Sequence, residues 1–167
     1  MAVENKYVNS DVAVDKKAIP AFQNGGEVVE VVSIVTVAAA DDDASVYRVA
    51  RVNAKMVPVE IRITNTAVTG GTDYELGIYN TLDGPLAGAV KDLDALLGTT
   101  TMASARAEGS GISGLSAVSQ ANSQQRLFEL AGDTESDHPS EYDIALTANT
   151  VGTAAGTIVV KARFVQG

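Results

Sequence analysis

From Val28 to Val37 the run VVEVVSIVTV is almost entirely β-forming. Val29, Val31, Val35 and Val37 fall on one face, and Glu30 and Thr36 on the other. AAADDDAS interrupts the run, and YRVARV (Tyr47 to Val52) follows as a weaker strand. The next is regular: Val57, Val59, Ile61 and Ile63 point to a core, while Glu60, Arg62 and Thr64 point to water. Gly70 and Gly71 supply permissive backbone for a turn in TAVTGG, and the return strand buries Tyr74, Leu76 and Ile78. This stretch therefore predicts a hairpin over residues 57–79. Near the C-terminus Tyr142, Ile144, Leu146 and Ala148 alternate with polar or small residues, and VGTAAG turns the chain. Ile158, Val160, Ala162 and Phe164 then alternate with Thr157, Val159, Lys161 and Arg163, which predicts a second hairpin over 142–164.

Between the two hairpins the period changes. Leu86, Val90, Leu93 and Leu97 stand at helical spacing with Gly98 after them, so a short helix is predicted there. RLFELAGD predicts a second, ending at Gly132. The segment TTTMASARAEGSGISGLSAVSQANSQQ is rich in Gly, Ser, Thr and Ala, and reads as a long loop with room for one weak strand. Short strands joined by Gly-containing turns point to an all-β, mainly antiparallel fold. The expectation is a β-sandwich or jelly-roll-like domain over residues 27–167, with one or two short helices and a long loop.

Residues 1–26 are polar and weakly patterned, and end in Asn24, Gly25 and Gly26. They read either as an extended N-terminal arm or as a frayed terminus. The arm carries Lys16 and Lys17 and a small apolar group, Ile19, Pro20 and Phe22. These five are the candidate contact residues, the lysines for acidic partners and the apolar group for a groove. The arm and the loop at about 99–124 hold few large apolar residues. Each is expected to become ordered only against a partner or a neighbouring copy.

Composition narrows the function. Hydrophobic residues make up 46% of the 167, but only 5% are aromatic and Trp is absent. One domain with a core of Val, Ala, Ile and Leu fits that length. The formal net charge is −9, from 12 Lys and Arg against 21 Asp and Glu, which disfavours a nucleic-acid partner. No apolar run reaches the roughly 20 residues of a membrane span, and MAVENKYVNSD, with neither a basic nor an apolar region, is not expected to act as a secretory signal. The lack of cysteine rules out thiolate metal sites and suits synthesis in the cytosol.

Candidate chemistry is thin. His138 lies in the polar turn SDHPS beside Ser136 and Asp137, whereas a hydrolytic triad is assembled from separated positions. Asp41, Asp42 and Asp43 lack the spacing of a calcium loop, and neither GGEVVE nor EGSGISG matches a phosphate-cradling loop. The sequence reads as a non-enzyme with no catalytic, cofactor or metal site. A carbohydrate-binding sandwich is a second reading, weakened by the absence of Trp.

The order of segments resembles a group of small virion proteins of tailed bacteriophages, the capsid decoration (cement) and minor structural proteins. The resembling pieces are EVVEVVSIVTVAAADDDASVYRVARV, YELGIYNT followed by GAVKDLDALL, RLFELAGDTESDHPSEYDIALTANT and AAGTIVVKARFV. They cover most of residues 27–165 and leave out the arm. The resemblance implies a β-sandwich or jelly-roll module on the outside of a capsid shell, as a homo-oligomer and often a trimer. Its partners would be the major capsid protein and its own copies, with no nucleic acid and no membrane. It implies synthesis in the host cytoplasm, location in the virion and no catalytic residues. A head-fibre base, a head–tail joining protein or a tail protein would share these features.

Overall fold

The computed structural model describes the backbone at residues 5–7 and 15–17 and the chain from 28 to 166. Ten strands form two five-stranded sheets. Sheet one runs β1 (Asn5–Tyr7), β4 (Ser45–Asn53), β9 (Glu141–Thr150), β6 (Asp73–Tyr79), β7 (Val90–Thr100). Sheet two runs β2 (Asp15–Lys17), β3 (Val28–Val37), β10 (Gly156–Gln166), β5 (Met56–Asn65), β8 (Ile112–Ser113). Apart from the short parallel pair β1–β4, every pairing is antiparallel. The eight strands from β3 onward divide four and four between the sheets, in the strand order of a jelly roll.

Both predicted hairpins resolve differently. β5 pairs with β10 and β8, and β6 pairs with β9 and β7, so TAVTGG carries the chain from one sheet to the other. The same holds for β9 and β10, whose partners are β4 and β6 on one side and β3 and β5 on the other. The two crossings lie side by side, and Thr153 N donates to Thr69 O at 2.8 Å. At this contact Gly152 has φ +98°, and a Cβ there would meet Thr69 O at 2.5 Å, so glycine is required. Alternation reports which face of a strand is buried. It is silent on whether the next strand lies beside it or across the core.

The inward faces merge into one hydrophobic core. Ile61, Ile63, Leu76, Ile78, Ile144, Leu146, Ile158, Val160 and Phe164 are all buried there, as the alternation predicts. Val59 is the exception, 49% exposed. Between the pairs Arg163–Glu60 and Phe164–Pro58 the register slips, leaving Val59 as the extra residue of a β-bulge. Pro58, which has no N–H to give the ladder, sits at that irregularity.

The predicted helix over Leu86 to Leu97 is instead a turn followed by β7. Leu96 and Leu97 are buried, but Leu86 and Val90 are exposed. From Leu76 to Ile78, two steps along β6 answer five along β7, from Leu97 to Asp92. That wide bulge breaks the alternation and imitates a helical period. Its backbone lies directly over Gly77, where a Cβ would stand 2.3 Å from both Asp92 O and Leu93 O.

The other predicted helix is present as α1 (Leu127–Leu130), which buries Leu127 and Phe128. The side chain of Glu129 accepts from Arg126 N at 2.7 Å and closes the first turn. The long loop is packed against the sandwich rather than awaiting a partner. Met102 is wholly buried, Asn65 Nδ2 donates to Met102 O and Ser104 O at 2.9 and 3.0 Å, and β8 extends sheet two.

Candidate functional site

Lys16 and Lys17 lie in β2, which pairs with the start of β3 through Lys16–Val29 and Lys17–Val28. Ile19, Pro20 and Phe22 lie outside the described residues. The structure therefore brings the two lysines to the margin of sheet two.

The polar motifs serve the fold. Asp41 is buried, and its Oδ2 accepts from Tyr47 Oη at 2.6 Å and Ala38 N at 3.0 Å. Asp43 Oδ1 accepts from Val151 N at 2.9 Å. The acidic triplet thus braces the turn between β3 and β4. Among the described residues no group of three or more His, Cys, Asp or Glu could hold a metal ion. The ring of His138 stacks on Phe128 with centroids 4.5 Å apart, and its Nδ1 lies 2.7 Å from Pro139 O.

One constellation has no signal in the sequence. Arg48 is 1% exposed, in phase with positions that alternation assigns to water. Its Nη1 donates to Asp143 Oδ2 and Asn80 O, both at 3.2 Å, and its Nη2 to Gly88 O at 2.8 Å. The guanidinium lies over the Tyr79 ring, 5.2 Å from the centroid. Arg51 Nε reaches Asp143 Oδ1 at 3.0 Å. Burial pushes the Asp143 carboxyl above its ordinary range, against the pull of Arg51 and Arg48, and burial lowers the pKa of Arg48. These bonds pin residues 80–88 over the outer face of sheet one. Only the distance in sequence between Arg48, Asn80, Gly88 and Asp143 hides the cluster from a linear reading.

The outer face of sheet two is open by contrast, and is the best candidate contact surface. Cross-strand register sets Glu30, Arg163 and Glu60 in one row, and Val32, Lys161 and Arg62 in the next. Arg163 bridges Glu30 and Glu60, each at 3.2 Å. Lys161 Nζ meets Glu108 Oε1 at 2.8 Å, and Arg62 Nη1 donates to Glu108 O at 2.6 Å. Hydrogen bonding from Lys161 holds the exposed Glu108 carboxyl below its ordinary pKa. The rows enclose a shallow groove of about 410 Å³. Beside it Val32 and Ile34 are exposed aliphatic side chains. Exposed ion pairs of this kind contribute little to stability, roughly 0–1 kcal/mol each. Their arrangement suits recognition by shape and charge.

No protein-family model matches the chain, and no curated protein matches its sequence. Among solved structures, a chain from the capsid of Ralstonia phage GP4 aligns with a TM-score of 0.60 at 15% identity, over 97% of this chain and 99% of that one. The protein has, over nearly its whole length, the fold of a chain found in a phage capsid.

Proposed function

We propose that this protein is a structural component of a bacteriophage virion, binding the outside of the capsid shell and stabilising it as a decoration or cement protein. The observation that carries the reading is the end-to-end likeness in fold to the chain from the phage GP4 capsid. The order of segments in the sequence supports it independently. In this reading the protein has the major capsid protein and its own copies as partners and catalyses no reaction. The open face of sheet two and the arm with Lys16, Lys17, Ile19, Pro20 and Phe22 supply the contacts. Several weak contacts on linked copies gain through effective concentration, which suits a surface with few large aromatic anchors.

The test is to mix purified protein with undecorated capsids of its own phage and measure occupancy by electron cryo-microscopy. Binding across the lattice, with capsids that then resist heat or pressure better, is expected. Density at a single vertex would make it a joining or fibre protein. No binding would overturn the reading. Deleting residues 2–24 should leave a folded protein with much reduced occupancy, and undiminished occupancy would remove the arm from the contact.

A further inference from the structure

Two loops meet at one end of sheet one and enclose another cavity, of about 410 Å³. One is the connection from β6 to β7 and the other the approach to β9, and β6 and β9 are neighbours. Both loops are held by the fold itself. Arg48 pins the first through Asn80 O and Gly88 O. In the second, Asp133 N donates to Phe128 O at 2.8 Å, and the ring of His138 stacks on Phe128. The Lys91 ammonium ties the start of β7 to this second loop, 2.6 Å from Asp133 Oδ1, while Tyr142 Oη donates to Asp133 Oδ2. A ligand entering here meets a formed site and does not have to order it.

The polar atoms left over in this cavity are acceptors. Asn80 is 6% exposed; its Nδ2 donates to Ala89 O at 3.3 Å, and its Oδ1 has no partner among the described residues. His138 Nδ1 lies 2.7 Å from Pro139 O, and a carbonyl only accepts. Nδ1 therefore carries the proton, and Nε2 of the neutral ring is an acceptor. The Asp137 carboxylate accepts no hydrogen bond and makes no ion pair among the described residues. Because Lys91 is already paired with Asp133, the Asp137 charge is uncompensated within the cavity. The remaining wall is aliphatic: Pro85, Pro139 and Leu86, the last 57% exposed.

We infer that this cavity is a binding site for an arginine side chain presented by a partner protein. Asp137 offers two carboxylate oxygens, His138 an imidazole nitrogen and Asn80 an amide oxygen. The five N–H donors of a guanidinium can satisfy all of these acceptors, and the three of an ammonium cannot. The methylene stem of the arginine lies along Leu86 and the two prolines, with its charged head toward Asp137. A neutral sugar would leave the Asp137 charge unmatched, and an anion would be repelled by it. The site is separate from the outer face of sheet two, and the inference does not depend on the capsid reading.

The probe is N-acetyl-arginine amide, titrated into the full chain at low salt and followed by amide chemical shifts. Saturable shifts confined to the two loops, residues 80–91 and 133–139, are expected, with a Kd on the order of 1 mM. N-acetyl-citrulline amide has nearly the same shape without the charge, and should bind at least about 10-fold more weakly. N-acetyl-lysine amide should also bind more weakly than the arginine probe. Asp137 is exposed, so Asp137→Asn should keep the wild-type circular dichroism and lose about 10-fold in affinity for the arginine probe. Leu86→Ser, also at an exposed position, should weaken binding of the arginine and citrulline probes alike, since both share the stem. The absence of shifts up to about 50 mM arginine probe overturns the inference. Equal affinity for the citrulline or lysine probe overturns it too, as does an unchanged midpoint in Asp137→Asn. If methyl glucoside shifts these amides and the arginine probe does not, the cavity belongs to a sugar and the inference fails.

Discussion

The bulge in β5 makes a quantitative prediction, because two aliphatic residues that look equivalent in sequence have opposite environments. Ile61 is 2% exposed, and its Cγ2 lies 2.4 Å from where a Cβ on Gly114 would stand. The segment carrying β8 is therefore pressed against it. Truncating Ile61→Ala removes three buried carbons and leaves a hole that this close-packed segment cannot fill without backbone movement. A cost of about 2–5 kcal/mol is expected. For a chain of this length each kcal/mol corresponds to roughly 2–4 °C, so the melting temperature should fall by about 4–20 °C. Val59 is half exposed on the bulge, and Val59→Ala should change stability by no more than about 0.5 kcal/mol. Both variants are compared with wild type by calorimetry and urea titration at one protein concentration, since self-association adds to apparent stability. Equal losses at both positions would show that strict alternation runs through Val59 and that the bulge is misplaced.

Phe164→Ala should cost about 3–5 kcal/mol, because the ring is wholly enclosed, and an unmoved denaturant midpoint would contradict that placement. Gly77→Ala should destabilise by about 1–3 kcal/mol, since the β7 backbone at Asp92 and Leu93 must retreat, and amide exchange should quicken in β7 before β9. The Asp133 side chain is largely buried, which raises its pKa, but the Lys91 ammonium and the Tyr142 hydroxyl outweigh that and hold it below the ordinary value. Its ionised form therefore stabilises the fold above about pH 4, the unfolded value, and that contribution is lost as pH falls further through the folded value. Asp133→Asn should be less stable than wild type at pH 7 and show a flatter loss below pH 4. Identical acid limbs would refute the assignment.

What the sequence determined by itself was the face each regular strand buries. Side-chain direction in a strand is a local property with a period of two, and Ile144, Leu146, Ile158, Val160 and Phe164 obey it without reference to any partner. The class of fold followed, since several such strands must share one core, and so did the short helix at Leu127, marked by its apolar pair and the Gly132 beyond. The tertiary structure alone decided which strands are neighbours. A hairpin and a sheet-to-sheet crossing present the same alternation about the same glycines, and only the placement of β10 and β9 between their partners separates them. It also decided the bulges at Val59 and at Asp92 to Leu97, where an insertion in one strand is measured against the other. Arg48 and Asp143 belong to the same class: each reads as a solvent-facing charge until residues from four distant segments converge to bury the pair. The candidate contact face divides along that line. The outward phase of Glu60, Arg62, Lys161 and Arg163 is written in the local pattern, whereas their union with Glu30 and Glu108 in one surface exists only once the sheet is assembled.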